Sequence, residues 1–138
     1  MRERRRQIPC AERDRYSAAV CAELLRRFAP VKLVCCYDAF PDEIDLAPFI
    51  DACGGEVVFP EKRGKEYFVD RAGEVDLWIC PGLAFTKDGK RIGFGGGWYD
   101  RFLAGAKGWK VGVAYPWQLV ETLPQEPTDI RLDEVVYV

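Results

Sequence analysis

At 138 residues and 15.7 kDa the chain favours a single domain, 1–138, and leaves no room for a second full core; with 49% hydrophobic and 30% charged residues it is expected to fold as a soluble globule. A net charge of −2 and a pI near 5.3 give no general attraction for nucleic acid. Histidine is absent, which excludes Ser-His-Asp and Cys-His catalysis and any His-ligated metal, so proton transfer must fall to carboxylates, Lys, Tyr, Cys or bound substrate.

The opening Arg2-Glu3-Arg4-Arg5-Arg6 is locally basic. From Cys10 to Phe28, Tyr16, Val20, Leu24 and Phe28 recur every fourth position, with Cys21 and Leu25 widening the stripe; the spacing predicts an amphipathic helix ending before Pro30. Lys32 to Tyr37 is a short apolar run, read as a buried strand of a parallel sheet. Asp45 is placed to cap a helix running to Cys53, where Gly54-Gly55 ends it. Glu56 to Phe59 and Asp76 to Cys80 are the next strands, separated by a charged stretch, Glu61 to Glu74. A helix over Trp98 to Ala104 follows a glycine cluster, and strands over Lys110 to Tyr115 and Val135 to Val138 close the chain. The six cysteines, Cys10, Cys21, Cys35, Cys36, Cys53 and Cys80, contain no C-x-x-C pair. With no apolar leader before them they read as small core residues in a reducing cytoplasm. No apolar run approaches the roughly 18 to 20 residues of a membrane span, and a monomer is expected.

Strands alternating with helices predict an α/β fold: a three-layer domain with a mainly parallel sheet flanked by helices. Ligands of such sheets sit beyond the carboxyl ends of the strands, which points to the loops after Tyr37, Cys80 and Tyr115. In the second of these, Asp88-Gly89 marks a hairpin tip. Gly93, Gly95, Gly96 and Gly97 then open a helix, where backbone N–H groups can approach an anion without Cβ interference. The cluster lacks the G-K-[ST] of a P-loop, and a tight structural turn explains it equally well. Lys87, Lys90, Arg91 and Arg101 flank it with positive charge suited to a polyphosphate. Asp100 beside such a cradle is either a first-turn carboxylate favoured by the helix dipole or a ligand of bridging Mg2+. A second carboxylate source is the proline-held segment Leu123 to Asp129, in which Asp129 is the better ligand and Glu126 orients the loop. Gln118, in the loop after Tyr115, either bonds a ligand or fixes its own loop.

These residues also carry a resemblance. Pro81 to Leu103, PGLAFTKDGKRIGFGGGWYDRFL, followed by Val111 to Asp129, VGVAYPWQLVETLPQEPTD, resembles the 5-formyltetrahydrofolate cyclo-ligase family, also called methenyltetrahydrofolate synthetase. The G-x-G-G-G-x-Y-D-R core and the A-Y-x-x-Q-L and L-P-x-E-P-x-D tail are specific in combination, and Asp42-Glu43-Ile44-Asp45 resembles the family's E-[VI]-[DE]-T segment. The resemblance implies ATP- and Mg2+-dependent closure of 5-formyltetrahydrofolate to 5,10-methenyltetrahydrofolate, ADP and phosphate. It implies that Arg91, Gly93, Gly95, Gly96, Gly97, Tyr99 and Arg101 line the nucleotide phosphates, with Arg91, Tyr99 and Arg101 assisting the reaction and Trp98 bordering the nucleotide site. Asp100 and Asp129 would hold Mg2+, Phe94 and Trp98 would face the pteridine or formyl region, and Glu43 would accept hydrogen bonds from the pterin N–H groups; read without the resemblance, Trp98 is equally a core-packing residue and Glu43 a solvated loop carboxylate.

The chain departs from the family pattern at several points. Thr86 stands where the family usually has Asp, and Thr128 where it often has His. The charged stretch Glu61 to Glu74 replaces a middle segment with a G-x-x-G-I-x-E-P pattern. The family's basic first helix starts one or two turns before Met1, so Arg2, Arg4 and Arg5 are expected to supply cations for ATP. The alternative function is a family-derived protein that binds nucleotide or folate without closing the ring.

Overall fold

Cys10–Phe28 forms helix α1 in the computed structural model of the chain, which describes residues 6–93, 98–124 and 130–138 and the side chains of all these but Trp98 and Phe102. Ala, Arg, Leu and Glu dominate the run and neither Gly nor Pro interrupts it, as helix propensity favours. Its buried residues are Ser17, Val20, Cys21 and Leu24: the predicted ridge is buried at Val20 and Leu24 and widened by Cys21 as expected, Ser17 joins it, and Tyr16 and Phe28 pack at its margin. The Ala29 N–H closes the last turn on the Leu25 carbonyl, and Pro30 stops propagation.

Strand β1 (Leu33–Cys35) follows, then helix α2 (Ala47–Ala52) and strand β2 (Glu56–Val58). Strands β3 (Glu61–Arg63) and β4 (Glu66–Phe68) form an antiparallel hairpin, and a 3-10 turn at Ala72–Glu74 leads into β5 (Leu77–Cys80). A second hairpin pairs β6 (Ala84–Phe85) with β7 (Arg91–Ile92); helix α3 (Trp98–Leu103), β8 (Trp109–Val113) and β9 (Glu134–Val136) complete the chain. The main sheet has the order β2-β1-β5-β8-β9 with every pair parallel, as in Val34 opposite Leu77 and Ile79 opposite Val111.

Alternation along these strands builds the predicted three layers. Val34, Leu77, Ile79, Val111, Val113 and Val136 face α1 and α2. Leu33, Cys35, Trp78, Cys80 and Val135 face the other way, onto Leu103 and Tyr99 of α3, Phe85 of β6 and Leu132. Each fully buried Leu, Val or Phe contributes about 1.5–3 kcal/mol, against about 0–1 for an exposed ion pair. The two apolar layers, rather than surface pairs such as Arg71–Glu56 and Arg63–Glu61, therefore hold the fold. At the amino ends of the strands, Asp76 Oδ2 accepts the N–H groups of Lys32 and Leu33, both at 2.9 Å, stitching β1 to β5.

Four expectations need correction. The charged stretch after β2 is not plain loop: Gly64, at φ +64°, turns the β3–β4 hairpin. Helix α2 begins at Ala47 rather than beside Asp45, because Leu46 takes the boundary conformation while Asp45 Oδ1 still accepts the Ala47 N–H at 3.0 Å. The last strand is Glu134–Val136, since Tyr137 and Val138 have passed beyond β8 and are exposed. Five cysteines are buried as expected, but Cys10, the first residue of α1, is exposed.

Candidate functional site

From β1 the chain moves to β2 on one side of the sheet and later returns to β5 on the other. Loops leaving the carboxyl ends of β1 and β5 therefore diverge, opening the crevice where sheets of this order take ligands. At that rim lies a cavity of about 10 Å³, roughly the space of one water. Tyr37 from the β1 end, Glu43 from the following loop, Pro81 and Gly82 from the β5 end, and Tyr115 and Gln118 from the β8 end line it. The three loops singled out from the sequence meet here.

Glu43 is only 4% exposed. Its Oε1 accepts the Phe40 N–H at 2.9 Å, and its own N–H donates to the Phe40 carbonyl at 3.0 Å, closing a short turn. Two phenols support the loop from below: Tyr37 donates to the Ile44 carbonyl at 2.7 Å and Tyr115 to the Asp42 carbonyl at 3.2 Å. Burial, then the neighbouring Glu43 charge, pushes the Tyr37 phenol well above its ordinary value, so it stays a donor. Gln118 fixes its own loop and a second one. Its Oε1 accepts the Tyr115 N–H at 2.9 Å, and its Nε2 donates to the carbonyls of Gly82 and Leu83 at 2.9 and 3.1 Å.

Arg91 reaches the rim from β7. Its Nε donates to the Pro81 carbonyl at 2.6 Å, and its guanidinium lies 4.7 Å over the Tyr99 ring. A Cβ at Gly93 would stand 2.7 Å from Arg91 Nη2, so glycine there makes room for the guanidinium. The Tyr99 phenol is held well above its ordinary value by burial first, then by Cys80 and Cys35, with Arg91 opposing and Glu43 reinforcing the shift. Arg91, Tyr99 and Glu43 thus belong to one electrostatic neighbourhood.

On α3, Asp100 Oδ1 accepts the N–H of Ile130 at 2.9 Å; Ile130 is the residue after Asp129 in the sequence. Arg101 is exposed, and its Nε meets Glu66 of β4 at 3.1 Å, an ion pair across to the β3–β4 hairpin. Lys87 shares a cleft with Arg27, Asp133 and Glu134 at the strands' amino ends. Thr86 is buried in the β6–β7 turn: its hydroxyl donates to Asp88 and accepts the Lys90 N–H. Gly89, at φ +96° with its Cβ position 2.1 Å from the Leu132 carbonyl, completes the predicted hairpin tip. Phe94, Gly95, Gly96, Gly97, Glu126, Thr128, Asp129, Arg2, Arg4 and Arg5 lie outside the described residues, as does the Trp98 side chain. Tyr37, Tyr115 and Gly82 line the cavity but were not singled out as site residues from the sequence, although a tyrosine ending each of two buried apolar runs was a visible signal.

Among the described residues no three His, Cys, Asp or Glu side chains gather to hold a metal, and no helix is long and apolar enough to cross a membrane. A carboxylate that spends Oδ1 on a backbone N–H keeps acceptor capacity on Oδ2. Asp100 therefore suits an ion such as Mg2+, which takes one or two carboxylates and completes its shell with phosphate and water.

The model of the 5-formyltetrahydrofolate cyclo-ligase family matches residues 55–138. A Mycoplasma genitalium 5-formyltetrahydrofolate cyclo-ligase is 32% identical over 107 residues, covering 76% of this chain and 56% of that protein. A Caenorhabditis elegans probable 5-formyltetrahydrofolate cyclo-ligase is 38% identical over 87 residues, 56% of this chain and 41% of that protein. The chain thus spans between about two fifths and just over half the length of these relatives. The NMR structure of Aquifex aeolicus 5,10-methenyltetrahydrofolate synthetase superposes with a TM-score of 0.85 at 32% identity, covering 98% of this chain and 84% of that one. On these matches and on the α/β architecture they share, the chain belongs to the 5-formyltetrahydrofolate cyclo-ligase family.

Proposed function

We propose that this chain, as a single monomeric domain, converts 5-formyltetrahydrofolate to 5,10-methenyltetrahydrofolate at the expense of ATP, with Mg2+ as the metal. The observation that carries the reading is the buried Glu43 carboxylate at the sheet's switch point, lining one cavity with Pro81, whose carbonyl holds the Arg91 stacked on Tyr99. A fixed carboxylate suits the adjacent N–H donors of a pterin edge, and a fixed guanidinium suits phosphate oxygens. The five buried thiols suit a reducing cytoplasm.

In the proposed reaction the formyl oxygen attacks the γ-phosphorus of ATP and ADP departs. Folate N10 then attacks the activated formyl carbon, phosphate leaves with the carbon–oxygen bond, and N10 gives up its proton. Both nucleophiles belong to the substrate, which accords with a chain lacking histidine. The protein's part is alignment and charge neutralisation. Arg91, already held by Pro81 and stacked on Tyr99, offers charge with little further ordering; the neutral Tyr99 phenol donates a hydrogen bond, and Arg101 adds a second cation. Gly93, Gly95, Gly96 and Gly97 would offer backbone N–H groups, with Trp98 bordering the nucleotide and, with Phe94, facing the pteridine. Asp100 and Asp129 would hold Mg2+, which when bound would offset phosphate charge.

Following methenyltetrahydrofolate absorbance with and without ATP tests the reading. An ATP-dependent gain is expected. No gain despite measurable ATP binding would assign the chain a binding role instead.

A further inference from the structure

The turn that carries Glu43 has no regular structure of its own between Phe40 and Leu46 and is gripped by one polar stripe of α1. Arg13, Ser17 and Cys21 recur at four-residue spacing and so share a helix face. Arg13 Nε donates to the Glu43 carbonyl at 2.8 Å and Nη2 reaches the Phe40 carbonyl at 3.4 Å. The Ser17 hydroxyl accepts the Asp45 N–H at 2.8 Å, and the Cys21 thiol donates to the Asp45 carbonyl at 3.3 Å. The Arg13 side chain is 18% exposed, although the carboxylate of Asp14 lies only 4.0 Å away and is well solvated. A guanidinium fork ordinarily spends its donors on a carboxylate or phosphate. Here it holds the backbone at both ends of the Phe40–Glu43 turn, the same turn in which the Phe40 N–H donates to Glu43 Oε1.

We propose that Arg13 is a positioning residue: by gripping both ends of this turn it fixes the direction of the buried Glu43 carboxylate, and hence affinity for the folate, without touching a ligand itself. The functional half of this inference rests on the reading of Glu43 as the pterin acceptor. Folding does not depend on it, because Val20, Leu24 and Phe49, all fully buried, carry the packing of α1 and α2. In the proposed reading the two substrates are held from different elements, the folate by Glu43 on the turn that Arg13 serves and ATP by Arg91 and Asp100 on β7 and α3.

Two arms test it, each with Arg13→Gln and with Arg13→Lys, which keeps the charge but loses the fork. Amide exchange followed by NMR needs no ligand. The Phe40 and Glu43 amides should exchange about tenfold faster in Arg13→Gln, with Arg13→Lys between, while those of β1 and β5 keep their protection. Unchanged exchange at Phe40 and Glu43 overturns the proposal. In kinetics, Arg13→Gln should raise KM for 5-formyltetrahydrofolate about tenfold with kcat and the KM for ATP within about twofold. In a Glu43→Gln background the same change should cost less than about twofold, because the group it positions is already altered. Equal losses in both backgrounds, or an equal loss for ATP, would make Arg13 a general support and overturn its positioning role. Should the wild-type chain neither bind nor convert the folate, the functional reading falls while the exchange arm still decides whether Arg13 sets the turn.

Discussion

Asp100 joins two demands on one carboxylate, a structural bond to the Ile130 N–H and a proposed bond to Mg2+. Asparagine satisfies the first, because its Oδ1 still accepts, and fails the second, because the charge is gone. Asp100→Asn is therefore expected to keep the melting temperature within a few degrees while turnover falls about 10²- to 10³-fold, the usual cost of one lost transition-state contact. Unchanged turnover across a Mg2+ titration would remove Asp100 from the metal site. Gln118 makes the opposite case, since its bonds are all to backbone. Gln118→Leu leaves the Tyr115 N–H and two carbonyls without that partner at a buried position, costing about 1–3 kcal/mol or more. In a chain of this length that lowers the melting temperature by several degrees, readable by circular dichroism. A melting curve that stays put would mean the β5 and β8 loops hold each other without the amide.

At the scale of elements, α1, β1, β5, β8 and the Asp88-Gly89 hairpin tip were legible because apolar periodicity and turn chemistry are local signals. The β3–β4 hairpin was not: Glu61 to Glu66 is exposed on every residue, so no alternation marks it as strand. Nor could local pattern show that Arg13, on the first helix, would close on Phe40 and Glu43. Arg91 and Tyr99 were candidates through the family resemblance, but the stack between them comes from tertiary packing. The hairpin also changes what Arg101 is expected to do. Its pair with Glu66 is exposed on both sides, so Glu66→Gln should alter stability by no more than about 1 kcal/mol. If Arg101 serves nucleotide phosphates as well, Arg101→Gln should weaken ATP about tenfold or more, at roughly 1.5–3 kcal/mol per charge-assisted bond, whereas Glu66→Gln should not weaken it. Isothermal titration of ATP against both variants separates the roles. Equal, small effects would leave Arg101 only as the hairpin's anchor.

The whole molecule sorts its ionisable groups by depth, and this sets its response to pH. Burial raises the thiols of Cys21 to about 11 and of Cys35 and Cys80 to about 12, and pushes Cys36, Tyr37 and Tyr99 up as well. The folded chain keeps these protons, whereas the unfolded chain releases its thiol protons near the ordinary value of about 8.5. A raised pKa of this kind contributes stability that is fully present below the unfolded value and is lost as pH rises toward the folded one. Each such group removes about 1.4 kcal/mol per pH unit over that window. Cys21, Cys35 and Cys80 together remove about 4, so a domain stable by about 5–15 kcal/mol is exhausted within a few pH units. Without histidine, no side chain of ordinary pKa titrates between about pH 5 and 8. Stability should therefore be flat from about pH 6 to 8.5, fall steeply above 9 and end in cooperative unfolding near pH 10 to 12. A thiol reagent at pH 8 should modify the exposed Cys10 promptly, and the five buried cysteines only in step with loss of tryptophan fluorescence and ellipticity as pH rises. Prompt modification of several thiols in a chain that stays folded, or stability unchanged up to pH 12, would show that the two apolar layers do not exclude water from the strands that carry the site.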